Sequence, residues 1–174
     1  MSDARFSYTQ EDFIQLAQRV LEYAAQSGAS SAETEVSEGF GLTVNVRKAE
    51  IETVEYNKDK GVGVTVYMGH RKGHASTSDL SDAALKATVE KAATIARHTA
   101  EDECAGLAEP AWLSRGHGDL DLHHPWQLDV EEAARIAREC ESAAFEVDRR
   151  IENSEGASVS TQASHFIYAN SLGF

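Results

Sequence analysis

The sequence predicts an α+β fold: a largely antiparallel sheet of four to five strands flanked by helices, with the start of a second sheet at the C-terminus. Three observations support this. Helix-capping signals precede three amphipathic segments. Clean alternation of apolar residues lies between the first two of these segments. Two short strand-like runs, "ASVSTQ" and "SHFIYAN", follow the third. Strands grouped between helices are typical of α+β chains.

The first helix has signals at both ends. Thr9 is placed to cap it, and Tyr8 and Phe13 flank the cap in the arrangement of a hydrophobic staple. Gly28 stands where a left-handed residue ends a helix. The apolar face is predicted to consist of Phe13, Leu16, Val20, Leu21 and Ala24.

The second and third helices begin in the same way. Ser81 caps the second, with Leu80 and Leu85 as its staple, and Asp129 caps the third, with Glu132 completing a capping box. The residues predicted to face the core are Leu85, Val89, Ala92 and Ala96 in the second helix, and Ile136, Cys140, Ala144 and Val147 in the third.

The strands between the first two helices are predicted from their period of two. Residues 40–46 and 62–68 alternate strictly, and residues 33–38 and 51–57 form weaker runs. The connections "KAE" and "NKDKG" carry charge and glycine, as hairpin turns do. We therefore expect an antiparallel meander.

The chain is predicted to divide into four parts. Residues 1–100 form an N-terminal α+β domain, and residues 101–128 form a long connecting loop. Residues 129–148 form a helix, and residues 149–174 form the first strands of a following, truncated domain. A loop longer than about 12–15 residues is uncommon in a compact domain, and such loops tend to be functional or to bridge subdomains.

Composition narrows the class of protein. The formal net charge of -13 over 174 residues would repel phosphate backbones, which argues against nucleic acid as a partner. No apolar run resembles a secretion signal or a bilayer span. Only two cysteines occur, Cys104 and Cys140, and their spacing fits no zinc ribbon or redox motif. These features predict a cytoplasmic protein without a membrane partner.

Metal chemistry is not favoured at the motif "HRKGH". His70 and His74 would share one face of a strand, but about 13 Å apart at roughly 3.3 Å per residue, too far to hold one zinc ion. The chain contains no H-E-x-x-H motif. We therefore expect a polar, exposed strand face there.

The loop 117–124 is a second candidate for metal binding, since it concentrates ligand-type side chains: His117, Asp119, Asp121, His123 and His124. Zinc sites usually take their ligands from a rigid scaffold, so a solvated loop is favoured. No G-x-S-x-G nucleophile elbow occurs. The residues alone thus predict no catalytic, cofactor-binding or metal-binding residue.

Several stretches together resemble one known family. "GASSAETEVSEGFGLTVNVRKAEIETVEYN" and "GVGVTVYMGHRKGHASTSDLS" resemble the opening strands of the TldD/PmbA family, and "DLDLHHPW" and "RRIENSEGASVS" continue the match in order. Within the family, the resemblance is nearer to the PmbA-type (TldE-type) subunits than to TldD. The match runs from about residue 28 to the end, as in the N-terminal portion of such a subunit.

The resemblance implies a function that the residues alone do not. It implies a cytoplasmic TldD–TldE heterodimer, a zinc metalloprotease that degrades unfolded peptides, matures a microcin precursor and degrades an antitoxin. The zinc would lie in the TldD-like partner, on an H-E-x-x-x-H helix and a cysteine that match no position here. This chain would then be non-catalytic and hold no cofactor. The alternative is a non-enzymatic regulator that binds a protein such as a gyrase or toxin–antitoxin component.

One strand has the character that peptide handling requires. Recognition of unfolded peptides needs a strand edge that reads main-chain groups. The run "RKGHAST" is polar, with short side chains and cations, and we expect it to line the substrate groove or the inter-subunit surface. The candidate residues are Arg71, Lys72, Gly73, His74, Ala75 and Ser76. Replacement of Ala75 by proline is expected to remove one edge donor.

Overall fold

The computed structural model describes residues 6–114, 116 and 120–174. Within these residues it has the predicted α+β class, a four-stranded antiparallel sheet with helices before and after its hairpins. The helices are α1 (Gln10–Gln26), α2 (Asp82–His98) and α3 (Val130–Val147), and the strands are β1 (Ser31–Arg47), β2 (Glu50–Met68), β3 (Arg71–Thr77) and β4 (Ala157–Asn170). The strand order in the sheet is β3-β2-β1-β4. No helix in the described part is both long and apolar enough to cross a bilayer.

The predicted start of α1 is confirmed in detail. The Thr9 side chain accepts the N–H of Asp12, and the Asp12 carboxylate accepts the N–H of Thr9 at 2.8 Å, which closes a capping box. The rings of Tyr8 and Phe13 lie 5.8 Å apart, as the staple predicts. Gly28 ends the helix with φ +86°, where a side chain would be strained.

The caps of the other helices are confirmed, with one difference. Ser81 accepts the N–H of Ala84, and Asp129 accepts the N–H of Glu132 at 2.8 Å. The Glu132 side chain does not complete a capping box, because its two oxygens receive the guanidinium of Arg135 at 2.7 and 2.8 Å. A two-pronged bond to a cation is stronger than a bond to a neutral backbone amide.

The strands are fewer and longer than the sequence predicts. "KAE" is a turn, but "NKDKG" is not, since residues 57–61 lie inside β2. Residues 52–60 are exposed, so charged side chains there reach water from either face of the strand. Pairing with the long strand β1 keeps the main chain extended, because it satisfies the main-chain groups that a turn would leave without partners. Charge alone therefore misidentified a turn.

The prediction that the C-terminal strand begins a second sheet is wrong. The strand β4 joins the first sheet beside β1. The side chains of Thr43 and Ser160 meet at 3.0 Å, and the N–H of Ala32 donates to the Ser171 hydroxyl at 3.0 Å. The pattern of β4 alternates intermediate and exposed residues, which suits a strand at the edge of an existing sheet.

The chain divides into two compact units. One contains Met1–Glu38, Asp59–Leu120 and His165–Phe174, and the other contains Gly39–Lys58 and Asp121–Ser164. The predicted boundaries at residues 100, 128 and 148 stay a prediction.

In the first unit, α1 and α2 pack on one face of the sheet. Their predicted apolar faces are buried except for Leu21, which is half-buried and packs against the core. The buried residues are Phe13, Leu16, Val20, Ala24, Leu85, Val89, Ala92 and Ala96. Strand residues Val36, Val62, Val64 and Val66 complete this core. The segment before α1 is held by the buried carboxylate of Glu38, which accepts the N–H groups of Ser7 and Tyr8 at 2.9–3.2 Å.

In the second unit, α3 packs through a face that differs from the predicted one. The buried residues are Ala133, Ala134, Ala137 and Glu141, while Cys140 is exposed and Val147 is 78% exposed. Alanines permit the helix to approach Leu42, Val44 and Val46 of β1 closely. Of the residues predicted to face the core, Cys140, Ala144 and Val147 are therefore exposed, and Ile136 is half-buried.

Glu141 is buried because it holds the β1–β2 turn. Its carboxylate accepts the N–H groups of Lys48 and Ala49, both at 2.8 Å, and the hydroxyl of Ser154. Lys48 and Ala49 have φ of +51° and +64°, a conformation that favours glycine or asparagine. These bonds, the Ser154 hydroxyl first, lower the pKa of Glu141.

Candidate functional site

The candidate strand lies at an edge of the sheet. β3 pairs with β2 alone, in the register that sets Met68 opposite Arg71 and Val62 opposite Thr77. The two strands are joined by the two residues Gly69 and His70, with Gly69 at φ +62°. A two-residue hairpin with glycine first is the expected turn between tightly paired strands.

This register decides which main-chain groups of β3 are free. In a two-residue hairpin the residues that flank the turn exchange hydrogen bonds, and bonded and non-bonded pairs then alternate. The main-chain groups of residues 71, 73, 75 and 77 are therefore directed to β2, and those of Lys72, His74 and Ser76 are directed to the open edge. The carbonyl of Tyr67, opposite Lys72, accordingly accepts a bond from Ser30 on the β1 side at 2.9 Å. By the same register the N–H of Ala75 is directed to β2, so the expectation that proline at this position removes an edge donor is wrong. The edge donors beside it are the N–H groups of His74 and Ser76.

Half of the six candidate residues support the strand from its helix side. Arg71 donates to the carbonyl of Arg97 at 3.4 Å and to Glu101 at 3.2 Å. Gly73 is buried under α2, and Ala75 packs against the core. These three residues hold β3 in place within the first unit.

The other half face the opposite side of the sheet, where they are exposed. Lys72, His74 and Ser76 alternate with the supporting residues, as successive side chains of a strand must. His74 Nδ1 lies 3.2 Å from the hydroxyl of Thr65 on β2. The ring lies over Gly63, at which an added Cβ would come within 3.3 Å of the His74 ring.

A groove of about 830 Å³ runs over this open face of the first unit. His74 and Ser76 form part of one wall, and its floor contains Gly61, Gly63 and Thr65 of β2. The far wall is formed by Glu33, Glu35 and Ser37 of β1 with Tyr168 of β4. The lining combines hydroxyl and carboxylate groups with a comparable amount of apolar surface, so the groove suits a ligand that carries both hydrogen-bonding and apolar groups.

The far wall is fixed by a cluster around one carboxylate. Glu33 accepts the hydroxyl of Tyr67 at 2.9 Å and that of Tyr168 at 2.6 Å. Burial, followed by the bond to Glu33, raises the pKa of Tyr67 to about 12. Burial and the same carboxylate raise the pKa of Tyr168. Both phenols therefore stay protonated and act as donors to Glu33 at neutral pH.

The ligand-type residues do not assemble into a metal centre within the described part of the chain. No group of three His, Cys, Asp or Glu side chains there could hold an ion. In the loop, the Nε2 atom of His124 lies 2.6 Å from the carbonyl oxygen of Asp121. His117 and Asp119 lie outside the described residues. Cys104 and Cys140 are both exposed.

Reasoning from the sequence missed the far wall of the groove. Glu33 and Tyr168 are 135 positions apart, and only the pairing of β4 with β1 brings them together. Apart from Gly39 and Gly41, the odd-numbered positions of β1 carry polar side chains, which was the one signal that this face is open.

Comparison with known proteins gives two matching family models. One, described as PmbA/TldA metallopeptidase domain 1, matches residues 32–96. The other, described as the PmbA/TldA metallopeptidase central domain, matches residues 123–174.

Two curated relatives match most of the chain. The metalloprotease PmbA homolog of Haemophilus influenzae is 41% identical over 172 residues, which cover 99% of this chain and 38% of that protein. The metalloprotease PmbA of Escherichia coli is 42% identical over 149 residues, 86% of this chain and 33% of that protein. The chain thus spans between 33% and 38% of the length of these relatives.

Solved structures share the fold. A protein of Bacteroides thetaiotaomicron, named as a candidate modulator of DNA gyrase, superimposes with a TM-score of 0.83 at 24% identity over 95% of this chain and 38% of that one. TldE of Thermococcus kodakarensis superimposes with a TM-score of 0.64 at 16% identity over 91% of this chain and 35% of that one.

Proposed function

Because the chain belongs to the PmbA/TldE family of metallopeptidases, we propose that it is the N-terminal part of a non-catalytic subunit of a cytoplasmic zinc metallopeptidase. Its partner is a TldD-like subunit, which holds the zinc and cleaves the peptide bond. The complex degrades or processes unfolded peptides, as in maturation of a microcin precursor. This chain itself contributes no zinc ligand and no catalytic residue.

The observation that carries the proposal is the free edge of β3 beside a polar groove. Unfolded peptides have few features in common except their main chain, so a subunit that handles them needs main-chain recognition. Lys72, His74 and Ser76 direct both their main-chain groups and their side chains to accessible sides of the strand. The segment Arg71–Ser76 would line the substrate groove or the surface that meets the partner subunit.

A second candidate function is a regulator that binds a target protein without any peptidase. The gyrase-modulator name of the Bacteroides protein favours it, since that name describes action on another protein. The same strand edge would serve such binding, so geometry alone does not separate the two functions.

Reconstitution separates them. The full-length protein and its TldD-like partner are purified separately and together, zinc is measured in each preparation by elemental analysis, and hydrolysis of an unfolded peptide is followed. We expect stable co-purification, zinc in the partner only, and hydrolysis that is lost when this protein is withheld. Stoichiometric zinc in this protein alone, or full hydrolysis by the partner alone, would contradict the proposal. Binding to a gyrase or antitoxin component without the partner would favour the regulator.

A further inference from the structure

The free edge of β3 offers a short, regular set of main-chain groups. Three residues, Lys72, His74 and Ser76, direct an N–H and a C=O outward. In the described part of the chain, none of these groups has a hydrogen-bond partner. Unpaired groups in such a row form a template on which another extended segment adds as a strand.

The two sides of this edge differ in chemistry. On the open face, Lys72 and His74 are exposed, and Lys72 has no ion-pair partner among the described residues. On the helix face, Ile95 of α2 lies beside Gly73, its Cβ 2.9 Å from the position that a Cβ there would take. Ile95 is still 46% exposed, so apolar surface remains to be covered on that side.

Strand geometry links these two sides to the main chain of an incoming segment. In an antiparallel pair, residues that exchange hydrogen bonds carry their side chains on the same face. Residues bonded to Lys72, His74 and Ser76 would therefore place their side chains on the open face, beside the ammonium group of Lys72. The residues between them would turn their amides away and place their side chains beside Ile95.

We propose that the β3 edge binds an extended peptide as an added antiparallel strand, in which acidic residues make the hydrogen bonds and alternate with apolar residues that cover Ile95. The proposal rests on the proposed function and specifies its substrate class. Antiparallel pairing continues the pattern of the existing sheet and is the slightly more stable of the two arrangements.

A second copy of the chain is a weaker occupant of this edge. Self-pairing of β3 about its centre would set His74 opposite His74 and Lys72 opposite Ser76, since residues equally distant from the centre meet. That arrangement supplies no carboxylate to Lys72. Charge complementarity therefore favours an acidic peptide.

The test uses the full-length protein without its partner, so that binding is measured apart from hydrolysis. The probe is a short fluorescein-labelled peptide of alternating glutamate and valine, followed by fluorescence anisotropy. One version is N-methylated at the glutamate amides and a matched version at the valine amides. We expect the first to bind about tenfold or more weakly, because several hydrogen bonds are lost, and the second to bind as the parent does.

Outcomes that overturn the proposal are distinct. Equal effects of the two methylation patterns would exclude added-strand binding, and a reversed pattern would exclude antiparallel pairing with the glutamates on the open face. If the parent peptide does not bind while hydrolysis by the complex still requires this protein, the proposed function stands and this inference fails. A concentration-dependent dimer that the peptide does not dissociate would point to a second copy as the occupant.

Charge-reversal variants locate the binding on β3 rather than on the other edge strand, β4. Lys72→Glu is expected to weaken binding of the glutamate–valine peptide and to strengthen binding of a lysine–valine peptide. Lys86→Glu makes the same charge change on the side of α2 that lines a groove with α1, away from β3, and is the matched control. Equal effects of the two variants would show a general electrostatic attraction and refute the assignment to this edge.

Discussion

Replacement of Gly73 by alanine tests whether β3 is held in place by close contact with α2. An added Cβ would overlap the carbonyl oxygen of Ala92 and the amide nitrogen of Ala96, and it would lie 2.9 Å from the Cβ of Ile95. Favourable carbon–carbon contacts are at about 3.5–4.0 Å, so the Ile95 contact alone requires the helix to retreat by ~0.6 Å, and the closer backbone atoms of Ala92 and Ala96 require more. Both overlapped backbone atoms belong to the helix itself, and no side-chain rotation relieves them.

The cost of this retreat follows from what α2 buries. Leu85, Val89 and Ala92 belong to the core of the first unit, and a gap of about 0.5–1 Å removes a quarter to a half of each dispersion contact. Overpacking in cores typically costs about 1–3 kcal/mol, and we expect Gly73→Ala to lie near 3 kcal/mol. In a chain of this size that lowers the melting temperature by about 6–12 °C.

Thermal and urea unfolding, followed by circular dichroism, measure the effect. Gly61→Ala is the matched control on the open face, where an added Cβ would lie at an ordinary 3.6 Å from the Thr77 carbonyl oxygen. We expect this control to change stability little. A Gly73→Ala variant as stable as wild type would refute the close approach of α2 to β3.

Three further predictions concern other buried groups. Glu141→Gln should lower the melting temperature at neutral pH. Because the pKa of Glu141 is lowered in the folded state, the carboxylate contributes stability above the ordinary carboxyl value of 4.5 and loses that contribution as the pH falls through the lowered pKa. The melting temperatures of variant and wild type should therefore converge in acid, and a difference that persists there would contradict this. Glu33→Gln should lower the pKa of Tyr67 from about 12, but leave it above the ordinary value of 10.0, because burial is the larger cause of the raised pKa. Absorbance titration, with Tyr67→Phe as the control that removes the Tyr67 signal, measures this. An unchanged titration would exclude the bond to Glu33. Phe13→Ala should destabilise the protein by about 3–5 kcal/mol in urea unfolding, since Phe13 is 0% exposed; a loss below about 1 kcal/mol would contradict its place in the core.

The parts of the fold that the sequence predicts well are those with local causes. Thr9, Ser81 and Asp129 begin helices because each side chain meets an amide within the next three residues. The alternation of Val62, Val64 and Val66 predicts a strand for a similarly local reason. These signals are complete within a few residues, so no knowledge of the tertiary structure is needed to read them.

The parts that were mispredicted depend on partners far along the chain. The polar run of residues 57–60 is typical of a turn, but pairing with β1 keeps it extended. Cys140 continues an apolar stripe, but α3 buries the neighbouring side that carries Glu141. The Glu141 carboxylate there accepts the N–H groups of the turn residues Lys48 and Ala49. Likewise, no sequence feature near β4 shows that one edge of β1 is open for β4 to pair with, so a second sheet was predicted instead.

The candidate site was predictable only in part, for the same reason. The run "RKGHAST" predicts a polar strand, and β3 has this character. The division of that run into supporting and accessible residues requires the register with β2. The groove requires in addition the approach of Glu33 to Tyr168, which no local pattern encodes.

The bonds from the Glu141 carboxylate to the β1–β2 turn affect which residues the turn can accommodate. A turn with positive φ at both central positions strongly prefers glycine, asparagine or aspartate there. Here the Glu141 carboxylate on α3 compensates for the unfavourable backbone angles of Lys48 and Ala49, so that lysine and alanine are accommodated at these positions. Asparagine and glycine at those two positions would make the bend self-sufficient, and Glu141 would then become replaceable.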